Sequence, residues 1–88
     1  MSVRIKVNPV LQRFTEDKRV VEVSGDTIAT CLDNLITKHP DVKSKIYDNH
    51  GNLLALVLIG AQVLGRKDLE RSIEDGAELS LITALGGG

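Results

Sequence analysis

Apolar residues recur along this chain in two rhythms. Val3, Ile5 and Val7 alternate with Arg4 and Lys6, the period-two pattern of a strand with one buried face. Asn8-Pro9 ends that run, because proline has no N–H to give a sheet ladder. A polar stretch centred on Thr15-Glu16-Asp17-Lys18 leads to a second alternation, Val21-Glu22-Val23. Two alternating runs so close together predict a hairpin with a long loop. Behind Ser24-Gly25-Asp26-Thr27 the rhythm becomes helical, with Ile28, Cys31, Leu32, Leu35 and Ile36 on one stripe. Asp26 is placed to cap the first turn of that helix, and Pro40 to end it by forcing His39 out of helical geometry.

The second half is less regular. Asp48-Asn49-His50-Gly51-Asn52 reads as a turn, and Leu53 to Ile59 is then unbroken aliphatic. Such a run predicts a central strand buried on both faces, closed by Gly60. Residues 61–76 are mixed polar and predict a short helix or turn near Arg66 to Ile73, followed by a tight Asp75-Gly76 turn. A last strand, Leu79 to Thr83, runs into the carboxyl end. Strand, strand, helix, strand or strands, irregular segment, strand is the order of an α+β domain. One main helix must then cover a mixed sheet of four to five strands. Residues 1–84 form the domain in this reading, and residues 85–88 a flexible glycine tail.

Composition narrows the function classes. Eighty-eight residues allow one small domain, too thin-walled to enclose an active site. Phe14 and Tyr47 are the only aromatics, so the core must be aliphatic and the stacking platform of single-strand nucleic-acid binders is missing. Eleven basic and twelve acidic residues, a formal charge of −1, provide no basic face for nucleic acid. No apolar run approaches the roughly 20 residues of a membrane span. Met1-Ser2-Val3-Arg4 is unlike a secretory leader, and a single cysteine allows no internal disulfide. A cytoplasmic location is the expectation.

The carboxyl end carries the candidate chemistry. In Leu85-Gly86-Gly87-Gly88 the glycines have no side chain to bury and leave the terminal carboxylate sterically bare. One reading makes Gly88 a reactive group presented to another protein's active site. The other makes the glycines a frayed end or a linker remnant, and the tail taken by itself leaves both open.

The element order together with this end resembles the ubiquitin-like β-grasp fold, and within it the MoaD/ThiS family of sulfur carriers. Four pieces carry the resemblance over essentially the whole chain. They are Val21-Glu22-Val23-Ser24-Gly25-Asp26-Thr27 leading into the helix, Leu35 to Pro40 at its end, Asp48 to Gly51 before the central strand, and Asp75-Gly76-Ala77-Glu78-Leu79-Ser80-Leu81 running to Gly88. Three details depart from the family's pattern. Ile59-Gly60 stands where Asn-Gly is usual, Ala77 stands where an aspartate is usual, and Gly86 extends the terminal pair. The polar insert after Gly60 and the chain length make the small subunit of molybdopterin synthase the most similar member.

The resemblance implies a carrier and not an enzyme. An E1-like adenylating enzyme would use ATP to activate Gly88, and a sulfur source would convert it to a thiocarboxylate. The carrier would then hand the sulfur to a synthase, the large molybdopterin synthase subunit if the chain is MoaD-like. It would hold no cofactor or metal of its own and bind neither nucleic acid nor membrane. Gly86, Gly87 and Leu85 would be the tail that enters the partner. Leu81 and Ile82 are candidates for docking, one of them buried by alternation. Carriage for thiazole or cysteine synthesis, a protein modifier joined to lysines through Gly88, and a plain interaction module are the alternatives.

Other chemistry has little to stand on. Cys31 lies on the apolar helix stripe and is read as a buried structural thiol. His39 and His50 lack partners at metal-ligand spacing, and Gly65-Arg66-Lys67 lacks the frame of a phosphate loop. Glu70 and Glu74 read as a solvated face. Leu53 to Ile59 is read as core, although one face of its neighbours could form an exposed aliphatic patch for a partner.

Overall fold

A computed structural model describes residues 2–83; Met1 and residues 84–88 lie outside the description. Strand β1 (Ser2–Val7) alternates exposed and buried positions along its whole length. The chain then enters a single helical turn, α1 (Pro9–Gln12), with proline at its first position, where a missing N–H is harmless. Strand β2 (Val20–Ser24) returns antiparallel to β1, with Val3 opposite Val23 and Ile5 opposite Val21. The hairpin is the one the alternation predicts, but its loop is more structured than the polar composition suggests. Buried Thr15 ties the loop together by donating its hydroxyl to the carbonyls of Gln12 and Lys18.

Helix α2 (Ile28–Lys38) buries Ile28, Cys31, Leu32 and Leu35, with Ile36 packed at the margin. Its cap is Thr27, whose hydroxyl oxygen accepts the Thr30 N–H at 3.1 Å. Asp26, the residue expected there, instead gives its backbone carbonyl to the Ile73 N–H at 2.9 Å. The helix stops at His39, just before Pro40. A 3-10 turn (Pro40–Val42) and the short helix α3 (Lys43–Ile46) lead to strand β3 (Leu56–Ile59), and β3 turns at Gly60 into strand β4 (Gln62–Leu64). Gly60 has φ +58°, a region that suits glycine and lets the turn close tightly.

Strand β4 replaces part of what the sequence suggested was irregular, and of the short helix or turn expected near Arg66 to Ile73 the turn forms, as a 3-10 turn at Arg66–Asp68. The reason is a competing set of backbone partners. Leu69 and Arg71 give their carbonyls to the N–H groups of Ala29 and Ile28 at the start of α2. A segment that satisfies another helix's first turn has fewer groups left for a helix of its own. Strand β5 (Glu78–Ile82) follows the Asp75-Gly76 turn, with Gly76 at φ +82°.

The five strands lie in the order β2-β1-β5-β3-β4, with β5 parallel to β1 and antiparallel to β3. Valines 3, 7, 21, 23 and 57 share the inner face with Ile5, Leu64, Leu79 and Leu81 and meet the α2 stripe there. This is an α+β β-grasp domain with one main helix over a mixed sheet. Among the described residues, no second layer covers the other face. That corrects the expectation for Leu53 to Ile59. Only Leu56–Ile59 is strand, and with one covered face the run alternates between buried Ala55 and Val57 and exposed Leu54 and Leu56.

Candidate functional site

The uncovered sheet face divides into two halves. Over β1 and β2 it carries Arg4, Lys6 and Glu22, and Arg4 reaches Glu78 of β5 at 3.7 Å. Both members of that ion pair are well solvated, so it adds little. Over the end of β5, β3 and β4 the face is aliphatic. Ile82 lies opposite Leu56, and Leu58 lies between Ser80 on β5 and Val63 on β4. Exposure is 40% at Ile82, 51% at Leu56 and 56% at Val63.

Strand pairing assembles this patch from the β3–β4 hairpin and the more distant β5, and each strand's alternation sends these side chains to one side. Leaving several large aliphatics side by side in water is unfavourable unless something covers them, and such patches commonly mark a contact surface. The patch also includes the last residue of β5, Ile82, one residue short of the end of the described chain.

Of the two docking candidates, only Ile82 can take that role as the domain stands. Leu81 is 1% exposed and lies opposite both Val7 and Val57 inside the sheet's covered face. It belongs to the core, because successive residues of a strand point to opposite faces. Leu56, Leu58 and Val63 were not singled out from sequence as surface residues. The unbroken apolar run hid the alternation of the first two, and β4 is too short for its period to be visible. Leu85, Gly86, Gly87 and Gly88 lie outside the described residues.

The remaining candidates fall into structural roles. Cys31 is fully buried, and burial pushes its thiol pKa up, away from the reactive thiolate. Its sulfur lies so close to Gly25 that a Cβ there would come within 2.7 Å of it. His39 closes α2, and the His50 N–H donates to Asp48 Oδ1 in a tight turn. The Asn52 and His50 N–H groups hold the Asp48 carboxyl below its ordinary pKa. Among the described residues no group of His, Cys, Asp and Glu could hold a metal ion. Gly65 starts a 3-10 turn and donates its N–H to Asp68 Oδ2 at 2.8 Å. Glu70 and Glu74 are exposed and not on a helix. No described helix is long and apolar enough to cross a membrane.

No protein-family model matches the chain, and no curated protein matches it. Solved structures do. SAMP1 from Haloferax volcanii is 27% identical and superposes with a TM-score of 0.83, all of each chain being covered. CysO of Amycolatopsis orientalis, solved in complex with BexX, is 23% identical with a TM-score of 0.81, covering 98% of this chain and 99% of its own. A Pyrococcus furiosus protein provisionally assigned as molybdopterin converting factor subunit 1 is 11% identical, with a TM-score of 0.75 over 97% of this chain and 99% of its own. These neighbours are ubiquitin-like β-grasp proteins of the MoaD/ThiS kind, the group the sequence resembles.

Proposed function

We propose that this chain is a ubiquitin-like sulfur carrier whose reactive group is the carboxylate of Gly88. The observation that carries the proposal is the junction at β5. The strand ends in the exposed patch at Ile82 and is followed, after Thr83, by Ala84-Leu85-Gly86-Gly87-Gly88. A patch at the root of such a sequence would let a partner grip the domain while it works on the end.

A free carboxylate is a poor acyl donor, since its leaving group would be oxide. Attack of the Gly88 carboxylate on the α-phosphorus of ATP releases pyrophosphate and leaves an acyl adenylate. A sulfide-equivalent nucleophile then forms the carbon–sulfur bond and expels AMP, giving the thiocarboxylate. Both steps belong to an E1-like partner, which supplies the charge stabilisation. The carrier contributes a grip and an unhindered end, with Gly87 and Gly88 presenting no side chain beside the reacting carbonyl. The acceptor implied by the sequence resemblance is the large subunit of molybdopterin synthase. Carriage of sulfur for cysteine or thiazole synthesis would use the same end in the same way.

A second reading has its own support. The 27% identity to SAMP1, and the 25% identity to the structure described as H. volcanii small archaeal modifier protein 1, favour a modifier that joins Gly88 to lysines of other proteins. Intact-mass analysis separates the two. The full chain is incubated with ATP, a candidate adenylating enzyme and a sulfide donor. The carrier reading expects the mass to rise by the difference between one sulfur and one oxygen, localised to the last peptide. Slower-migrating species with Gly88 in isopeptide linkage, and no thiocarboxylate, would replace it with the modifier reading. Retention of AMP transfer after deletion of Gly87-Gly88 would overturn both.

A further inference from the structure

The parallel ladder between β1 and β5 runs from Arg4 opposite Glu78 to Val7 opposite Leu81. Beyond Val7 the strand β1 cannot continue it, because the chain turns into α1 and Pro9 has no N–H. Yet β5 remains paired for two residues more. The backbone N–H of Asn8 donates to the Leu81 carbonyl at 3.4 Å. The Asn8 side chain then takes both backbone groups of Thr83: Nδ2 donates to the Thr83 carbonyl at 2.9 Å, and Oδ1 accepts the Thr83 N–H at 3.4 Å. A primary amide presents a donor and an acceptor side by side, as a peptide group does. The Asn8 side chain thus serves as one more rung of β1.

A local stabilisation is forgone for this. Asn8 occupies the N-cap of α1, with extended φ −78° and ψ 168°, where an asparagine oxygen ordinarily accepts a first-turn N–H. It makes no such bond, because its amide is committed to Thr83. Thr83 is itself buried and is the last residue before Ala84 and the glycines.

We propose that Asn8 is a positioning residue for the carboxyl-terminal segment. By pinning both backbone groups of Thr83 it fixes the point and direction in which the chain leaves the sheet, from a position 75 residues away. Five residues beyond Thr83 can span at most roughly 17 Å, so the place where the span begins largely decides what Gly88 can reach. Without the clamp the root moves back along β5, and the effective concentration of Gly88 in a partner's cleft falls. The importance of this rests on Gly88 being the reactive group; the clamp itself does not.

Backbone amide exchange on the isotope-labelled full chain tests the clamp without a partner. In Asn8→Ala the Thr83 amide should lose protection by about five- to tenfold, the loss of one buried hydrogen bond, while Val21 and Val23 on β2 keep theirs. In Asn8→Asp the carboxylate can accept from Thr83 N–H but cannot donate to its carbonyl. Because the acceptor for the Thr83 N–H is kept, the Thr83 amide in Asn8→Asp should retain more of its protection than in Asn8→Ala. Unchanged protection in Asn8→Ala, a uniform loss at all amides, or a loss in Asn8→Asp as large as in Asn8→Ala would overturn the clamp. With an adenylating enzyme that accepts the wild-type chain, Asn8→Ala should lower kcat/KM about two- to fivefold, and equal rates would overturn the positioning role. If no adenylating enzyme accepts even the wild type, it is the Gly88 reading that falls, and the exchange result alone decides the clamp.

Discussion

The two halves of the uncovered sheet face are built to opposite rules. Over β1 and β2 the exposed positions are charged or polar except Val20, and the outer edge of β2 is closed by side chains from α2. Lys38 Nζ donates to the Glu22 carbonyl at 2.6 Å and Asn34 Nδ2 to the Ser24 carbonyl at 2.5 Å. Charges and capped carbonyls are how a sheet edge is kept from pairing with another chain. Over β5, β3 and β4 the same pleated surface presents Ile82, Leu56, Leu58 and Val63. Both halves rest on the same aliphatic core and belong to one sheet, so folding does not require the second half to be apolar. Under the function proposed above, partner contact accounts for that composition, and the patch lies where β5 leads on toward Ala84 and the glycines.

Exchange of neighbours on β5 gives the largest contrast. Leu81→Asp places a carboxylate among core aliphatics and should unfold the domain, a loss of several kcal/mol. Ile82→Asp, one residue on but on the uncovered face, should cost only about 1 kcal/mol, the loss of a cross-strand pair and of strand propensity. It should still weaken binding to an adenylating partner about tenfold. Thermal melts and titration calorimetry read the two effects separately. Comparable melting losses for both variants would refute the assignment of faces, and unimpaired binding by Ile82→Asp together with Val63→Asp would move the contact off the patch.

A second substitution probes how tightly the covered side is packed. At Gly25 an added Cβ would come within 2.7 Å of Cys31 Sγ and 2.9 Å of the Cys31 backbone nitrogen. Because the backbone atom cannot step aside, Gly25→Ala should cost about 1–3 kcal/mol, read from the midpoint of urea unfolding. Little change would mean that α2 sits more loosely on the sheet than the structure has it.

Cys31 offers a chemical test of the same packing. Burial raises its pKa, so an alkylating reagent at neutral pH should label it only as fast as the domain opens. Labelling should accelerate in Gly25→Ala and stay unchanged in Ile82→Asp. Rapid labelling of the native protein would contradict a sealed core and reopen the question of a reactive thiol.

The smallest effect belongs to the charged half. Arg4 and Glu78 are both largely solvated, and a double-mutant cycle between them should yield about 0.5 kcal/mol or less, fading with salt. A much larger coupling would make the charged half a stabilising network and weaken the contrast with the aliphatic half.

Much of this arrangement is visible in the chain itself because it is local. The alternations at Val3 to Val7 and Val21 to Val23 specify strands β1 and β2, and the stripe from Ile28 to Ile36 specifies α2, since each pattern repeats at the period of the element that buries it. The Asp75-Gly76 turn and the run of glycines at 86–88 likewise need only their own residues to be recognised. What the sequence could not settle depends on partners outside each segment's own residues. Leu53 to Ile59 is apolar whichever faces are covered, and only the placement of α2 over one side of the sheet leaves Leu56 in water and Leu58 half-buried. Strand β4 exists because β3 pairs with it, and the 69–71 backbone avoids a helix because α2 takes its carbonyls. Asn8 reads locally as the cap of a turn; its amide holds Thr83 because the parallel β1–β5 pairing brings the two ends of the domain together, and no periodicity reports a contact of that separation.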